Sequence, residues 1–153
     1  MAAKKVLINT VIEFEETASS ATYVDYSAMF SEATLPFDRQ MVESGTFGNK
    51  SAEETPGIFD LVATLNLRPD ADGVKYAKLL AWLADGVERG MKFKEAVGAI
   101  APGNLQSRCT RCVLKNLPFG GARAALANEG SITVRLNGGV TVDNGTATVG
   151  IGT

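Results

Sequence analysis

The chain contains no histidine among its 153 residues, and that absence excludes a great deal of chemistry. Without imidazole there is no Ser-His-Asp or Cys-His catalytic arrangement, none of the common zinc or haem ligand sets, and no histidine-based pH switch. Cysteine is almost as scarce, with Cys109 and Cys112 the only two. A four-cysteine zinc site needs a second pair that is missing. If 108–114 is a regular strand, three steps of about 3.3 Å put the two Cα atoms about 10 Å apart on opposite faces. That is too far for an intrachain disulfide, and the expectation is two inert structural thiols.

An excess of either charge is also lacking. Fifteen Lys and Arg stand against 17 Asp and Glu, a net charge of -2, so no basic field is available to attract a phosphate backbone. Long apolar runs are missing too. The segment Val6-Leu7-Ile8-Asn9 after Lys4-Lys5 is too short for a signal peptide, and no later stretch approaches a membrane span. These absences point to a chain used without secretion and away from the membrane. At 45% apolar residues it is the size of one domain with a core of its own.

Two periodicities organise what is present. Val6, Ile8, Ile12 and Phe14 share one parity and read as a first strand, followed by the polar loop Thr17-Ala18-Ser19-Ser20. The clearest alternation sets Phe59, Leu61, Ala63, Leu65 and Leu67 against Asp60, Thr64, Asn66 and Arg68. Ile132, Val134 and Leu136 repeat it, and Asp143-Asn144-Gly145 marks a hairpin between strands at 140–142 and 146–151. One segment has helical period: Tyr76, Leu79, Leu80, Leu83 and Val87 predict a helix at about 73–87, with an aspartate capping its start and Gly90 stopping it. Trp82 is expected to flank that stripe. One helix among six to eight strands predicts a mainly β (α+β) single domain over 1–153, with two packed antiparallel sheets, sandwich- or barrel-like, and one flanking helix.

Two connections stand out. Residues 44–57 form a long loop with three glycines and one aromatic, Phe47, and 117–130 form a second glycine-marked connection. Neither brings a nucleophile, a base and an orienting group together. Asp38-Arg39 and Glu53-Glu54 are poor acid/base pairs without a perturbing neighbour, and Gly48-Asn49-Lys50-Ser51 lacks the upstream glycine of a phosphate-binding loop. The residues support no enzyme, no cofactor and no metal site.

Motif order carries a resemblance. Thr46-Phe47-Gly48 opening the long loop, Pro56-Gly57-Ile58-Phe59-Asp60 as a turn back to the sheet, then the alternating strand, the helix, Gly103-Asn104-Leu105-Gln106-Ser107 and Pro118-Phe119-Gly120-Gly121 resemble the major tail tube proteins of long-tailed, siphovirus-type bacteriophages. The similarity spans about residues 4–142. No proline follows Asn104, and Ile58 stands where leucine is commoner in that family.

The resemblance implies a structural virion protein that self-assembles into homohexameric rings, stacked into the tail tube that conducts the genome. Its partners would be further copies of itself and the tail terminator, tape measure and distal tail proteins. DNA would pass through the lumen without specific binding, and the protein would reside in the virion tail after assembly in the host cytoplasm. Strands at 33–43 and 57–67 would lie toward the lumen, making Glu32, Asp38, Glu43, Asp60 and Asn66 lumen-facing candidates. Thr46, Phe47, Gly48, Pro56 and Gly57 are the candidates for contacts between subunits or rings, with Phe47 as anchor. The N-terminal arm and the glycine-rich C-terminal tail come second, and Lys4, Lys5, Lys50, Arg89, Lys92 and Lys94 could pair across rings, although most surface charges are simply solvated. The alternatives are a head-tail connector, a tail terminator, a type VI-like tube component or a small ligand-binding β-barrel.

Overall fold

The computed structural model describes residues 7, 9–44, 53–70 and 72–153. Within them lie β1 (Val11–Glu15), β2 (Tyr23–Asp25), β3 (Phe30–Thr34), β4 (Phe37–Ser44), β5 (Glu53–Leu67), α1 (Val74–Asp85), β6 (Arg89–Lys94), β7 (Gln106–Leu114), β8 (Gly130–Leu136), β9 (Val140–Asp143) and β10 (Thr148–Ile151). Every strand pairing is antiparallel. Hydrogen bonds run through β2-β1-β6-β7-β8-β5-β3, β4 continues from β5, and the β9–β10 hairpin hangs on the first half of β7. The fold is mainly β, a large antiparallel sheet in a sandwich-like arrangement with one flanking helix. The two layers are therefore hydrogen-bonded parts of one sheet.

Alternation decides which side chains the sheet encloses. Leu61, Ala63, Leu65 and Leu67 of β5 meet Ile132, Val134 and Leu136 of β8, all buried. Each such aliphatic side chain contributes about 1.5–3 kcal/mol by leaving water. Phe14 of β1 lies at the centre of the aromatic packing, with ring centroids 5.6 Å from Tyr26, 6.0 Å from Phe30 and 5.5 Å from Trp82. Trp82 is the helix's contribution to this cluster, and its indole N–H donates to the Val87 carbonyl at 2.8 Å.

The helix differs from its sequence reading in three ways. Its buried residues are Tyr76, Leu79 and Trp82, so Trp82 sits in the stripe and does not flank it, while Leu80 and Val87 are exposed. It ends at Asp85 because Gly86 adopts a left-handed conformation and its N–H bonds back to the Trp82 carbonyl. At the other end Gly73 occupies the N-cap position and Asp72 Oδ1 accepts from the Val74 N–H at 3.2 Å.

Gly90, read from sequence as the helix stop, belongs to β6 and is buried. A Cβ there would come 2.4 Å from Glu15 Oε1 and 2.2 Å from the Tyr23 hydroxyl. Glu15 is itself buried and accepts from the Gly90 N–H at 2.7 Å, the Ala21 N–H at 2.9 Å and the Ser20 hydroxyl at 3.4 Å. A buried carboxylate is tolerated when its oxygens are satisfied in this way.

Other boundaries move for local reasons. Among the described residues the first strand begins at Val11, with Asn9 in a left-handed backbone (φ 58°); Val6 and Ile8 of the expected strand lie outside the described residues. The expected strand at 33–43 is two strands, broken at Leu35-Pro36. The expected loop at 44–57 shrinks because β4 runs to Ser44 and β5 starts at Glu53; the Pro56-Gly57 turn is instead a bulge inside β5. β2 and β6 are short and were not read from the sequence, so the strand count rises to ten among the described residues. The glycine-rich tail forms the β9–β10 hairpin, closed around Asn144 as expected.

The cysteines also differ from expectation. Arg89 pairs with Cys112 and Met91 with Cys109, two steps on β6 against three on β7. The extra residue is a bulge at Thr110-Arg111, which resets the alternation and turns both thiols inward, at 2% and 0% exposure.

Two consequences are measurable. Replacing Trp82 by Ala should cost about 3–5 kcal/mol in urea unfolding, because it empties the centre of the core, whereas Val87→Ala, at a 46% exposed position, should cost less than about 1 kcal/mol. The second concerns Tyr26, whose pKa is pushed up by burial and then by the hydrogen bond its hydroxyl donates to Glu16 Oε1 at 2.8 Å. The folded chain holds the protonated phenol while the unfolded phenol ionises near pH 10, so this contribution is complete below about pH 10 and is lost as pH rises further. Thermal melts across that range should fall more steeply for the wild type than for Tyr26→Phe.

Candidate assembly surface

The residues singled out from sequence gather on β3, β4 and β5. Only Val62–Leu67 of β5 is paired with β8; from Leu61 back to Glu53 its partner is β4 alone. The β4–β5 hairpin therefore runs past the body of the sheet as a two-stranded ribbon. Met41 is 48% exposed, Val42 58% and Ile58 72%. Alternation along β4 sets Met41 and Val42 on opposite faces, so apolar side chains meet solvent on both sides.

The ribbon's bulge explains Pro56 and Gly57. Arg39 pairs with Phe59 and Met41 with Pro56, two steps on β4 against three on β5. Proline, with no N–H to donate, is tolerated beside such an irregularity. A Cβ on Gly57 would lie 2.9 Å from the Gln40 carbonyl oxygen, so glycine is needed for the two backbones to approach. Thr46, Phe47 and Gly48 lie outside the described residues.

The proposed lumen residues separate by face. Glu32, Asp38, Asp60 and Asn66 lie on the outer side of β3–β5, opposite the buried Leu61, Ala63, Leu65 and Leu67. Glu32 and Asn66 are register partners joined by an amide-to-carboxylate hydrogen bond of 2.9 Å. Asp38 faces Asp60, whose carboxylate is paired with Arg135 at 2.9 Å. Glu43, five residues beyond Asp38 along the regular β4, points to the other face, opposite Glu54 in the register. The five residues are thus brought to one hairpin region but not to one surface.

Cationic groups gather elsewhere. On the outer side of β6 and β7, Lys92 and Arg108 are register partners flanking the Tyr23 ring, at 4.0 and 5.9 Å from its centroid. Arg111 makes two hydrogen bonds to Glu88, at 2.9 and 3.2 Å. Arg89, counted from sequence among possible inter-ring charges, is buried, paired with Asp85 at 2.7 Å and set 5.8 Å from the Trp82 ring. It is a core residue.

Sequence reasoning missed the exposed apolar set Met41, Val42 and Ile58. The available signal was Ile58 beside Phe59, two large apolar neighbours that break a strict alternation next to Pro-Gly. An apolar cleft of about 300 Å³ also lies between the β3–β4 connection and β6, β7 and β9, lined by Leu35, Phe37, Phe93, Leu105 and Val142. Among the described residues no cluster of three His, Cys, Asp or Glu side chains could hold a metal ion, and no helix is long and apolar enough to cross a membrane. No protein-family model matches the chain, and comparison with curated proteins likewise finds no match.

Proposed function

We propose that this chain is a structural subunit that self-assembles, in the form of stacked hexameric rings making a bacteriophage tail tube through which DNA passes without specific binding. Self-association rests on the β4–β5 ribbon. A two-stranded ribbon is marginal in water, and this one carries Met41, Val42 and Ile58 exposed together with the like-charged register pairs Asp38/Asp60 and Glu43/Glu54. Those features suit a segment completed by another chain. Among the described residues the outer edges of β3 and β4 are further unpaired edges, and such edges are what side-by-side joining of sheets requires. The ring order, the tube and the virion location come from the motif resemblance, as do the tail terminator, tape measure and distal tail proteins as partners.

Negative-stain microscopy and light scattering of the purified chain test this reading. Long open-ended tubes, or rings that stack as concentration rises, are expected. Ile58→Lys should leave the melting temperature within about 2 °C of wild type, since surface substitutions rarely exceed ~0.5 kcal/mol, while abolishing assembly. A wild-type chain that stays a monodisperse monomer at high concentration would sink the proposal. The apolar cleft favours one other reading, a small ligand-binding β-barrel, because its volume is at the lower end of ligand sites. Saturable binding of an apolar fluorophore to such a monomer would support that alternative.

A further inference from the structure

The two cysteines are absorbed by nothing above, and their geometry departs most from what a regular strand would impose. In a flat strand, residues three apart point to opposite faces. Here the bulge at Thr110-Arg111 removes one step: Cys109 stands opposite Met91 and Cys112 opposite Arg89, positions two apart on β6. Their Cα atoms are therefore separated by about two strand steps, roughly 6–7 Å, at the upper end of the spacing a disulfide spans. Both side chains are buried on the same inner face. The Cys112 Sγ lies 3.7 Å from the Cys109 carbonyl oxygen and within hydrogen-bonding reach of the Cys109 sulfur.

The surroundings distinguish the two sulfurs. Cys109 lies beside the Cys112 thiol and, despite its burial, near the backbone N–H groups of Arg111 and Gly138, surroundings that favour a thiolate and lower its pKa to about 7. Cys112 is pushed far the other way, by its own hydrogen bond to Cys109 and then by burial. Cys109 is the sulfur placed to react as a thiolate, and Cys112, whose thiol donates to the Cys109 carbonyl, is the resolving thiol held beside it. The β8–β9 turn passes across the bulge, the Asn137 N–H donates to the Arg111 carbonyl at 2.8 Å, and the Arg111 side chain lies against Gly138. Short turns of this kind open locally at low cost.

We propose that Cys109 and Cys112 form a dithiol site that closes to an intrachain disulfide when a small two-electron oxidant, hydrogen peroxide or a compound of its class, reaches the bulge. The Cys109 thiolate attacks one peroxide oxygen, the O–O bond breaks, and Cys109 becomes a sulfenic acid as hydroxide leaves and takes up a proton to form water. The Cys112 sulfur then attacks the Cys109 sulfur; the S–O bond breaks, and the hydroxyl leaves with the Cys112 proton as a second water. Two thiols are oxidised and one peroxide is reduced to two waters. A reducing environment leaves the bulge open, and an oxidising one cross-links it at the β6–β7 junction. This inference rests on the geometry of β7 alone and stands whether or not the chain assembles.

The test uses the whole reduced protein, exposed to hydrogen peroxide in native buffer and quenched with catalase. Thiols are then alkylated in denaturant, and intact and peptide masses are measured. The expected result is joint loss of both thiols as one intrachain species lacking two hydrogens, monomeric on non-reducing gels and restored by dithiothreitol. Cys112→Ser should instead accumulate a Cys109 sulfenic acid trapped by dimedone, at least tenfold above the wild-type level. Wild type needs no substitution to give its answer, so a variant that fails to fold leaves the test intact. Both thiols remaining alkylatable after the folded protein meets peroxide, over-oxidation of Cys109 without a disulfide, or cross-linking only between chains would each overturn the proposal.

Discussion

The aromatic junction of Phe14, Tyr26, Phe30 and Trp82 is the constraint on which the rest of the molecule hangs. Phe14 touches rings from β3, from the turn after β2 and from the helix, so one side chain ties three elements to β1. A coiled sheet has an open side, and apolar residues there would face water unless something filled it. The helix does so with Tyr76, Leu79 and Trp82, whose polar atoms find partners: the Tyr76 hydroxyl donates to the Pro118 carbonyl at 2.6 Å and the Trp82 indole to Val87. The helix is further held by Lys78, whose ammonium lies 2.7 Å from Glu16, the same carboxylate that accepts from Tyr26. Packing supplies most of the stabilisation, and the polar contacts set the orientation.

Three register shifts interrupt the strands, one of them in β3 between Phe30 and Glu32, and the bulges in β7 and β5 have different consequences. In β7 the extra residue turns two cysteines to the same side of the sheet, opposite a β6 whose Gly90 leaves room for the buried Glu15. In β5 it falls at Gly57-Ile58, within the stretch before Val62 that pairs with β4 alone. A bulge bends its strand and raises local twist, so this one redirects a ribbon that has already parted from β8. The chain thus carries a well-packed body and a projecting arm whose apolar groups that body does not cover. Such a division suits a protein whose work is contact with other chains.

Much of the strand pattern was legible because burial on one face leaves a period-two trace. Leu61 to Leu67 and Ile132 to Leu136 alternate in sequence and are buried as that alternation requires. The hairpin at Asn144 was legible from its turn residues. The helix was legible in place but not in face: Trp82 is enclosed while Leu80 and Val87 are exposed, since several apolar wedges of one wheel could satisfy the same period. β2 and β6 were invisible because three to six residues, with charges such as Lys92 and Lys94 on the outward side, leave too little pattern.

By itself, the sequence determined the mainly β class, one helix near residue 80, the principal core strands and the lack of histidine chemistry. These follow from local periodicity and from composition, which each residue carries wherever the chain goes. Tertiary structure alone decided that β4 and β5 form a projecting ribbon, that Arg89 is buried, that Glu43 leaves the face shared by Asp38 and Asp60, and that Cys109 and Cys112 meet. Each of those depends on register between distant strands. A single extra residue in one strand reverses every side chain beyond it, and no local pattern records where its partner strand will place that residue.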